Sequence, residues 1–162
     1  LLNLISGAKL IKNRDNLGFV KAVNQGAALA GAEHILLLNN DTRLEQGAIE
    51  YANETLESGE DIGAVGGKIL LLDGSLQEAG SLIWQDGSCL GYGRGEDPKQ
   101  PEYMFRRDVD YCSGAFLLFR KQDFTALKNT SRMLTLGEFD SGKTRGSARA
   151  RKSFRCFLAS TL

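Results

Sequence analysis

The chain is poor in histidine, proline and cysteine, with one, two and three residues respectively among 162. A single histidine, His34, and cysteines at Cys89, Cys112 and Cys156 without CxxC spacing support neither a zinc site nor a disulfide framework. The thiols are expected to be reduced and structural, and His34, at the head of an apolar run, to be structural or superficial. Long apolar runs are missing too. None approaches the roughly 18 residues that a membrane span needs, so no transmembrane segment is expected. The opening "LLNLISGAKLIKNRD" also lacks the basic-then-apolar layout of a signal peptide. From these absences the chain is expected to be soluble, unexported and cytoplasmic. Because the first residue is Leu and a strand candidate follows closely, the chain is expected to be a fragment.

The zero net charge conceals an asymmetry. Residues 1–127 carry 12 Lys and Arg against 18 Asp and Glu, a balance of −6, while residues 128–162 carry eight against two, a balance of +6. The basic end has no interleaved aromatics apart from Phe154 and Phe157, and the rest is acidic, so no nucleic-acid partner is expected.

Along the first 127 residues, strand and helix patterns alternate. "KLIKN" (9–13) reads as a short strand and "RDNLG" as a loop. A helix is expected from Phe19 to Ala32, where Phe19, Val23, Ala27 and Ala30 recur at helical spacing. "HILLL" (34–38) shows no alternation, as expected of a strand buried on both faces of a mostly parallel sheet. "RLEQGAIEYANETLESG" (43–59) reads as a second helix stopped by Gly59. "IGAVGGKILLLDGS" and "SLIWQDGS" are strands closed by D-G turns. Both prolines and three glycines fall in "GYGRGEDPKQPEY" (91–103), expected to be a mobile loop. "GAFLLF" is a further strand, leading into a helix near Lys121. The pattern predicts an α/β sandwich built on βαβ units over residues 1–127, followed by an irregular basic tail over 128–162.

In open α/β sheets ligands bind beyond the carboxyl ends of the strands, where Asn39, Asn40, Asp41 and Thr42 lie after "HILLL". One carboxylate flanked by amide and hydroxyl oxygens is a partial shell for Mg²⁺ or Mn²⁺. The same residues also make an Asn-Asp turn that caps the next helix, and spacing alone leaves both readings open. "GYGRG" lacks GxGxxG spacing and a following helix, so it is a loop rather than a phosphate cradle. Asp108 and Asp110, alternate residues of "RRDVDYCSGA", share one strand face, either as paired carboxylates at a substrate or as solvated charges.

Three ordered stretches, "NLGFVKAVNQGAALAGAEHILLLNNDTRL", "GAVGGKILLLDGSLQEAGS" and "GRGEDPKQPEYMFRRDVDYCSGAFLLFRKQDF", together resemble family 2 glycosyltransferases. The resemblance implies a partial, Rossmann-like GT-A domain that binds a nucleotide-sugar. Asp41 would hold Mg²⁺ or Mn²⁺ against the donor diphosphate, with Asn39 at the first position of the D-x-D-like element and Asn40 between them. Asn16 and Gly18 would lie in the loop near the nucleotide, with Asn24 helping to hold it. Ser113, Gly114 and Ala115, with Asp110, would line the donor-sugar and acceptor pocket. The implied partners are a nucleotide-sugar donor and a saccharide or lipid-linked acceptor. The implied setting is cell-surface polysaccharide synthesis at the cytoplasmic face of the membrane, with inversion at the anomeric carbon.

Two parts of the family pattern are missing: the opening strand with its downstream aspartate, which the resemblance implies would recognise the nucleotide base and is expected to lie before Leu1, and the general-base motif. The E-D-x-D-like motif that supplies the general base does not follow "FRKQDF", and "GEFD" (137–140) is a displaced echo of the element before it. Read one frame over, permitted codons for "GKTRGSARAR" give E-D-S-G-F-C-A-R-A, so the tail is expected to be either a frameshifted catalytic end or a disordered one. The chain by itself is then expected to be inactive. Two other readings compete: a non-catalytic nucleotide-binding remnant, and a doubly wound dehydrogenase, against which the lack of GxGxxG counts.

Overall fold

The computed structural model describes residues 7–129 and 153–157, and the chain falls into two units, Leu1–Gly31 and Ala32–Leu162. The first unit is organised by one helix, α1 (Phe19–Leu29). Its N-cap, Gly18, has φ 75°, a left-handed conformation that glycine adopts without a Cβ penalty. Ala27 is its buried residue, and the helix ends at Leu29, three residues before the expected Ala32, because Ala30 turns extended. Residues 9–13, expected as a strand, are exposed coil. Among the described residues of this unit there is no second strand to pair with them, and a lone strand leaves its backbone groups to water. Asn13 instead exchanges two side-chain hydrogen bonds with Gln25 of α1, at 2.9 and 3.0 Å.

The second unit begins with β1 (His34–Leu38), α2 (Ala48–Glu57) and β2 (Ile62–Gly67). Helix α2 starts five residues later than the expected Arg43, because Gly47 before it has φ 80° and cannot continue a helix. Short strands follow: β3 (Ile69–Leu70), β4 (Leu76–Glu78), β5 (Ser81–Ile83), β6 (Cys89–Gly91) and β7 (Arg107–Val109). The chain then enters β8 (Phe116–Arg120) and α3 (Lys121–Asn129), and β9 (Ser153–Phe157) completes the described elements.

The main sheet has the order β1-β8-β2-β9-β7. It is not mostly parallel, as the sequence pattern had suggested: β8 is antiparallel to both β1 and β2, β7 is antiparallel to β9, and β2 with β9 is the one parallel pair. Strands β1 and β2 do run the same way, joined by α2 as a βαβ unit, but β8 returns between them in the opposite direction. A period-two or apolar pattern carries no information about strand direction, so the insertion was invisible in sequence.

Burial separates the two apolar strands. Phe116, Leu118, Leu117 and Phe119 of β8 are all buried, whereas in β1 Ile35 is buried and Leu38 is 42% exposed. Phe116 and Leu118 join Ala52 and Leu56 of α2 and Ile62 and Val65 of β2 in the core. Phe119, on the opposite face, stacks on Phe124 of α3 with centroids 5.1 Å apart. The run that is covered on both faces is therefore "FLLF", while "HILLL" lies at the margin of the described sheet.

Both D-G turns close hairpins, β3–β4 and β5–β6. In each, an aspartate Oδ1 accepts from the backbone and the hydroxyl of the serine two residues on: Asp73 from Ser75 at 2.9 and 2.6 Å, Asp86 from Ser88 at 2.9 and 2.7 Å. These bonds to the charged form, the hydroxyl first, hold both carboxyls below their ordinary range.

The stretch expected to be a mobile loop is tied down. Leu76 and Glu96, Gly95 and Leu76, and Ala79 and Tyr92 are joined by backbone bonds of 2.8–2.9 Å. Tyr103 is buried and meets Tyr92 edge-on at 5.3 Å, and the Arg107 guanidinium lies 4.2 Å over the Tyr92 ring. Gly93, with φ 76°, makes room for this cluster: a Cβ there would fall 2.6 Å from the Tyr103 ring. The aromatics outweigh the prolines and glycines.

The backbone of Ser153–Phe157 places one strand in the basic segment, beside β2. Residues 137–140 and 142–151, which bear on the missing motif and the shifted frame, lie outside the described residues. Among the described residues no helix is long and apolar enough to cross a membrane.

Candidate functional site

The β1–β8 ladder ends at the pair Leu38–Phe116, and one further bond extends it: the Asn39 amide donates to the Ala115 carbonyl at 3.0 Å. The Thr42 amide then donates to the Asn39 carbonyl at 3.2 Å, folding 39–42 into a tight turn with Asn40 and Asp41 exposed at its apex. On the other side, Ser113 Oγ accepts from the Ala115 amide at 3.2 Å. Two stretches far apart in sequence, Asn39–Asp41 and Ser113–Ala115, are thus brought together at the carboxyl end of β1.

Other candidates fall differently. Asp110 is exposed, and its Oδ2 accepts from the Ile83 amide at 3.1 Å. It reinforces the pairing of Ser81 with Tyr111 that hangs the β5–β6 hairpin on this segment. In the other unit, Asn16 Oδ1 accepts from the Gly18 amide at 2.9 Å, an Asx turn leading into α1, and Asn24 is half-buried on that helix. His34 is structural, its Nε2 lying 3.0 Å from Glu57 Oε1.

Sequence reasoning passed over one buried acid. Glu78, in β4, is buried to 8% exposure and accepts from the Ser81 hydroxyl at 3.2 Å. Burial pushes its pKa up, against the lowering effect of the Ser81 hydroxyl, the Ser113 backbone and the Arg94 charge. Burial, then the Glu78 charge, also raises the Tyr111 hydroxyl and pushes the Cys112 thiol up to about 12. Cys112 is therefore a thiol rather than a nucleophilic thiolate, and neither it nor Cys89 is in a disulfide. Gly66 of β2 lets Cys112 sit against the sheet, since a Cβ there would fall 2.6 Å from the Cys112 Cβ.

Among the described residues no three His, Cys, Asp or Glu side chains group as a metal shell of protein alone. Asp41, exposed at the apex, is the carboxylate presented at the turn. This donor set does not fit an all-protein cage. It fits a hard cation that takes one carboxylate and completes its shell with water and phosphate oxygens.

The sequence model of Glycosyl transferase family 2 matches residues 1–127, most of the chain. The chain belongs to that family. No curated protein matches it. Membership makes the α/β unit a glycosyltransferase domain and implies a nucleotide-sugar donor and an acceptor. In this family 2 domain, the "NND" and "SGA" stretches were legible as motifs. Glu78 gave no signal, because a glutamate in a three-residue strand looks like any solvated strand-face charge.

Proposed function

We propose that the chain is the donor-binding part of a metal-dependent, inverting glycosyltransferase. It would move a sugar from a nucleoside-diphosphate sugar to a saccharide or lipid-linked acceptor, at the cytoplasmic face of the membrane, in cell-surface polysaccharide synthesis. The observation that supports this most is the Asn39–Ala115 bond of 3.0 Å, which sets the Asp41 turn beside the Ser113–Ala115 loop.

In this GT-A reading, Asp41 anchors the cation, and the Asn39 and Asn40 amides face the donor diphosphate. Asp110, Ser113, Gly114 and Ala115 border the sugar and acceptor. Asn16, Gly18 and Asn24 serve the nucleotide. Bound Mg²⁺ or Mn²⁺ supplies positive charge against the diphosphate as it leaves. Inverting transfer also needs a base to take the acceptor's proton as its oxygen bonds to the anomeric carbon. After Leu127 the acids are Glu138 and Asp140, with no E-D pair. The chain alone therefore binds donor without transferring it.

That missing pair also favours a second reading, a non-catalytic nucleotide-binding remnant. Sequencing the gene separates the two: an open alternative frame encoding E-D after Leu127 supports the enzyme, and stop codons there support the remnant. For the site, UDP and dTDP are titrated into the full chain with and without Mn²⁺. Binding should require Mn²⁺ and weaken about tenfold or more in Asp41→Ala, as expected for loss of a metal ligand. Binding indifferent to both would refute the assignment, and robust turnover of UDP- or dTDP-sugars would refute the missing base.

A further inference from the structure

Hairpin β5–β6 turns an apolar face to water. Leu82 lies directly opposite Leu90 in its register, and the Trp84 amide continues the ladder by donating to the Ser88 carbonyl at 2.8 Å. Side chains alternate along a strand, so Leu82, Trp84, Ser88 and Leu90 share one face, on which Leu82 is 37%, Trp84 56% and Leu90 54% exposed. The hairpin is also fixed in place. The Gly87 amide donates to the Trp84 carbonyl at 2.9 Å, and Asp86 Oδ1 holds both the amide and the hydroxyl of Ser88. Strand β5 is fastened through the pairing of Ser81 with Tyr111 and the bond from the Ile83 amide to Asp110 Oδ2. Clustered apolar exposure on a framework held this firmly marks a binding surface.

We propose that the Trp84 face is a saccharide subsite, on which an oligosaccharide acceptor rests while its end reaches the Ser113–Ala115 loop. The chemistry of the surface selects that occupant. An exposed indole takes the C–H face of a pyranose by stacking, and the Asp86 carboxylate, held by Ser88 across the ladder from Trp84, accepts from the hydroxyls at the ring's edge. An apolar floor with a few polar groups at its margin is the usual composition of a small-molecule site. A lipid surface fits less well: residues 69–93 contain Asp73, Glu78 and Asp86 and no Lys or Arg, whereas the anionic cytoplasmic leaflet attracts basic segments. Position agrees with the assignment. Trp84 lies three residues past Ser81, and Ser113 two past Tyr111, the partner of Ser81. A few residues of extended chain therefore separate the platform from the loop, further than one sugar reaches and within the span of a short oligosaccharide. That this saccharide is the acceptor rests on the function proposed above; that the face binds saccharide does not.

Trp84 is the only tryptophan in the chain, so its fluorescence reports on the face directly. The full chain is titrated with cellotetraose, whose all-equatorial glucose units offer flat C–H faces, with and without Mn²⁺–UDP. In both conditions the emission should move to shorter wavelength and acrylamide quenching should fall as the sugar saturates. Calorimetry on variants separates stacking from apolar contact. Trp84→Phe should keep its affinity within about threefold, while Trp84→Leu and Trp84→Ala should lose about tenfold, with Tm unchanged. Leu72→Ala, fully exposed at the turn of the β3–β4 hairpin, is the control and should bind as wild type. Unchanged emission with cellotetraose, or wild-type affinity in Trp84→Leu or Trp84→Ala, overturns the proposal. So does co-sedimentation with phosphatidylglycerol vesicles, or a dimer in solution, that Trp84→Ala abolishes, since a bilayer or a second copy would then be the occupant. Trp84-dependent sugar binding in a chain that binds no Mn²⁺–UDP upholds the saccharide subsite and refutes the donor-site reading instead.

Discussion

Strands β1 and β8 lie side by side over five paired residues, from His34–Arg120 to Leu38–Phe116, and the two ends of that ladder are built differently. At the Arg120 end everything is braced. The guanidinium, 13% exposed, donates to the carbonyls of Ile62 at 2.8 Å, Gly59 at 3.3 Å and Leu56, and pairs with Glu57 at 3.5 Å and Asp123 at 4.0 Å. It thus caps the carboxyl end of α2, where cationic donors are favoured. Glu57 also holds His34, and the Lys121 amide donates to the Glu33 carbonyl at 2.7 Å. At the Phe116 end the Asn39 to Ala115 backbone bond joins the strands' continuations, and beyond it Asn40 and Asp41 stand in water. On the function proposed above, one end of the sheet carries stability and the other carries the donor site, the usual division between packed elements and low-stability binding turns.

The largest effect should come from the braced end. Arg120→Met strips three carbonyls and two carboxylates of their partner at once; because Glu57 is 52% exposed, the loss is set by the hydrogen bonds from the charged guanidinium to the carbonyls, about 1.5–3 kcal/mol. Chemical denaturation should read a fall of that order, with nucleotide affinity unchanged in the protein that remains folded. A loss below about 1 kcal/mol, the range of exposed ion pairs, would show that the bracing is ornamental. Gly66→Ala comes next and probes the middle. Its Cβ would meet the Cys112 Cβ at 2.6 Å and Sγ at 2.7 Å, overpacking that costs about 1–3 kcal/mol. Because Cys112 leads directly into Ser113, this substitution should lower Tm and donor affinity together, and an affinity loss without any change in Tm would contradict it.

The smallest effect is in pH dependence. The pKa of Glu78 is raised on folding, so its contribution to stability is fully present below the ordinary glutamate range and is lost as pH rises through the raised value. Wild type should therefore lose stability relative to Glu78→Gln on that rise, and parallel curves would contradict the burial. Asp73 and Asp86, whose pKa values are lowered, act with the opposite sign: their contribution is present above the ordinary aspartate range and is lost as pH falls through the lowered values.

The same contrast explains what could be read in advance. "HILLL" running into "NNDT" announced a strand with a polar end, the D-G pairs announced hairpins, and "GAFLLF" announced a strand leading into a helix, because each signal is local. Which apolar run is covered on both faces was not legible: "HILLL" and "FLLF" look alike, and their neighbours decide that Leu38 is exposed and Leu118 buried. The antiparallel return of β8 was hidden for the same reason. Glycines and prolines in 91–103 signalled a mobile loop, yet Tyr92, Tyr103 and Arg107 make it a small core of its own. Of the candidate site, the Asp41 turn and the Ser113–Ala115 loop were visible as motifs. The bond that joins them arises from residues separated by tens of positions and could not be.

The most direct test of this division is a pair of titrations followed in parallel with thermal unfolding: Mn²⁺–UDP into Asp41→Ala and into Arg120→Met, each against wild type. Asp41→Ala should lose binding about tenfold or more with Tm unchanged, and Arg120→Met should lose Tm with affinity unchanged. If Asp41→Ala binds as the wild type does, or if both substitutions lower both quantities alike, the site does not lie at the Asn39–Ala115 end and the account fails.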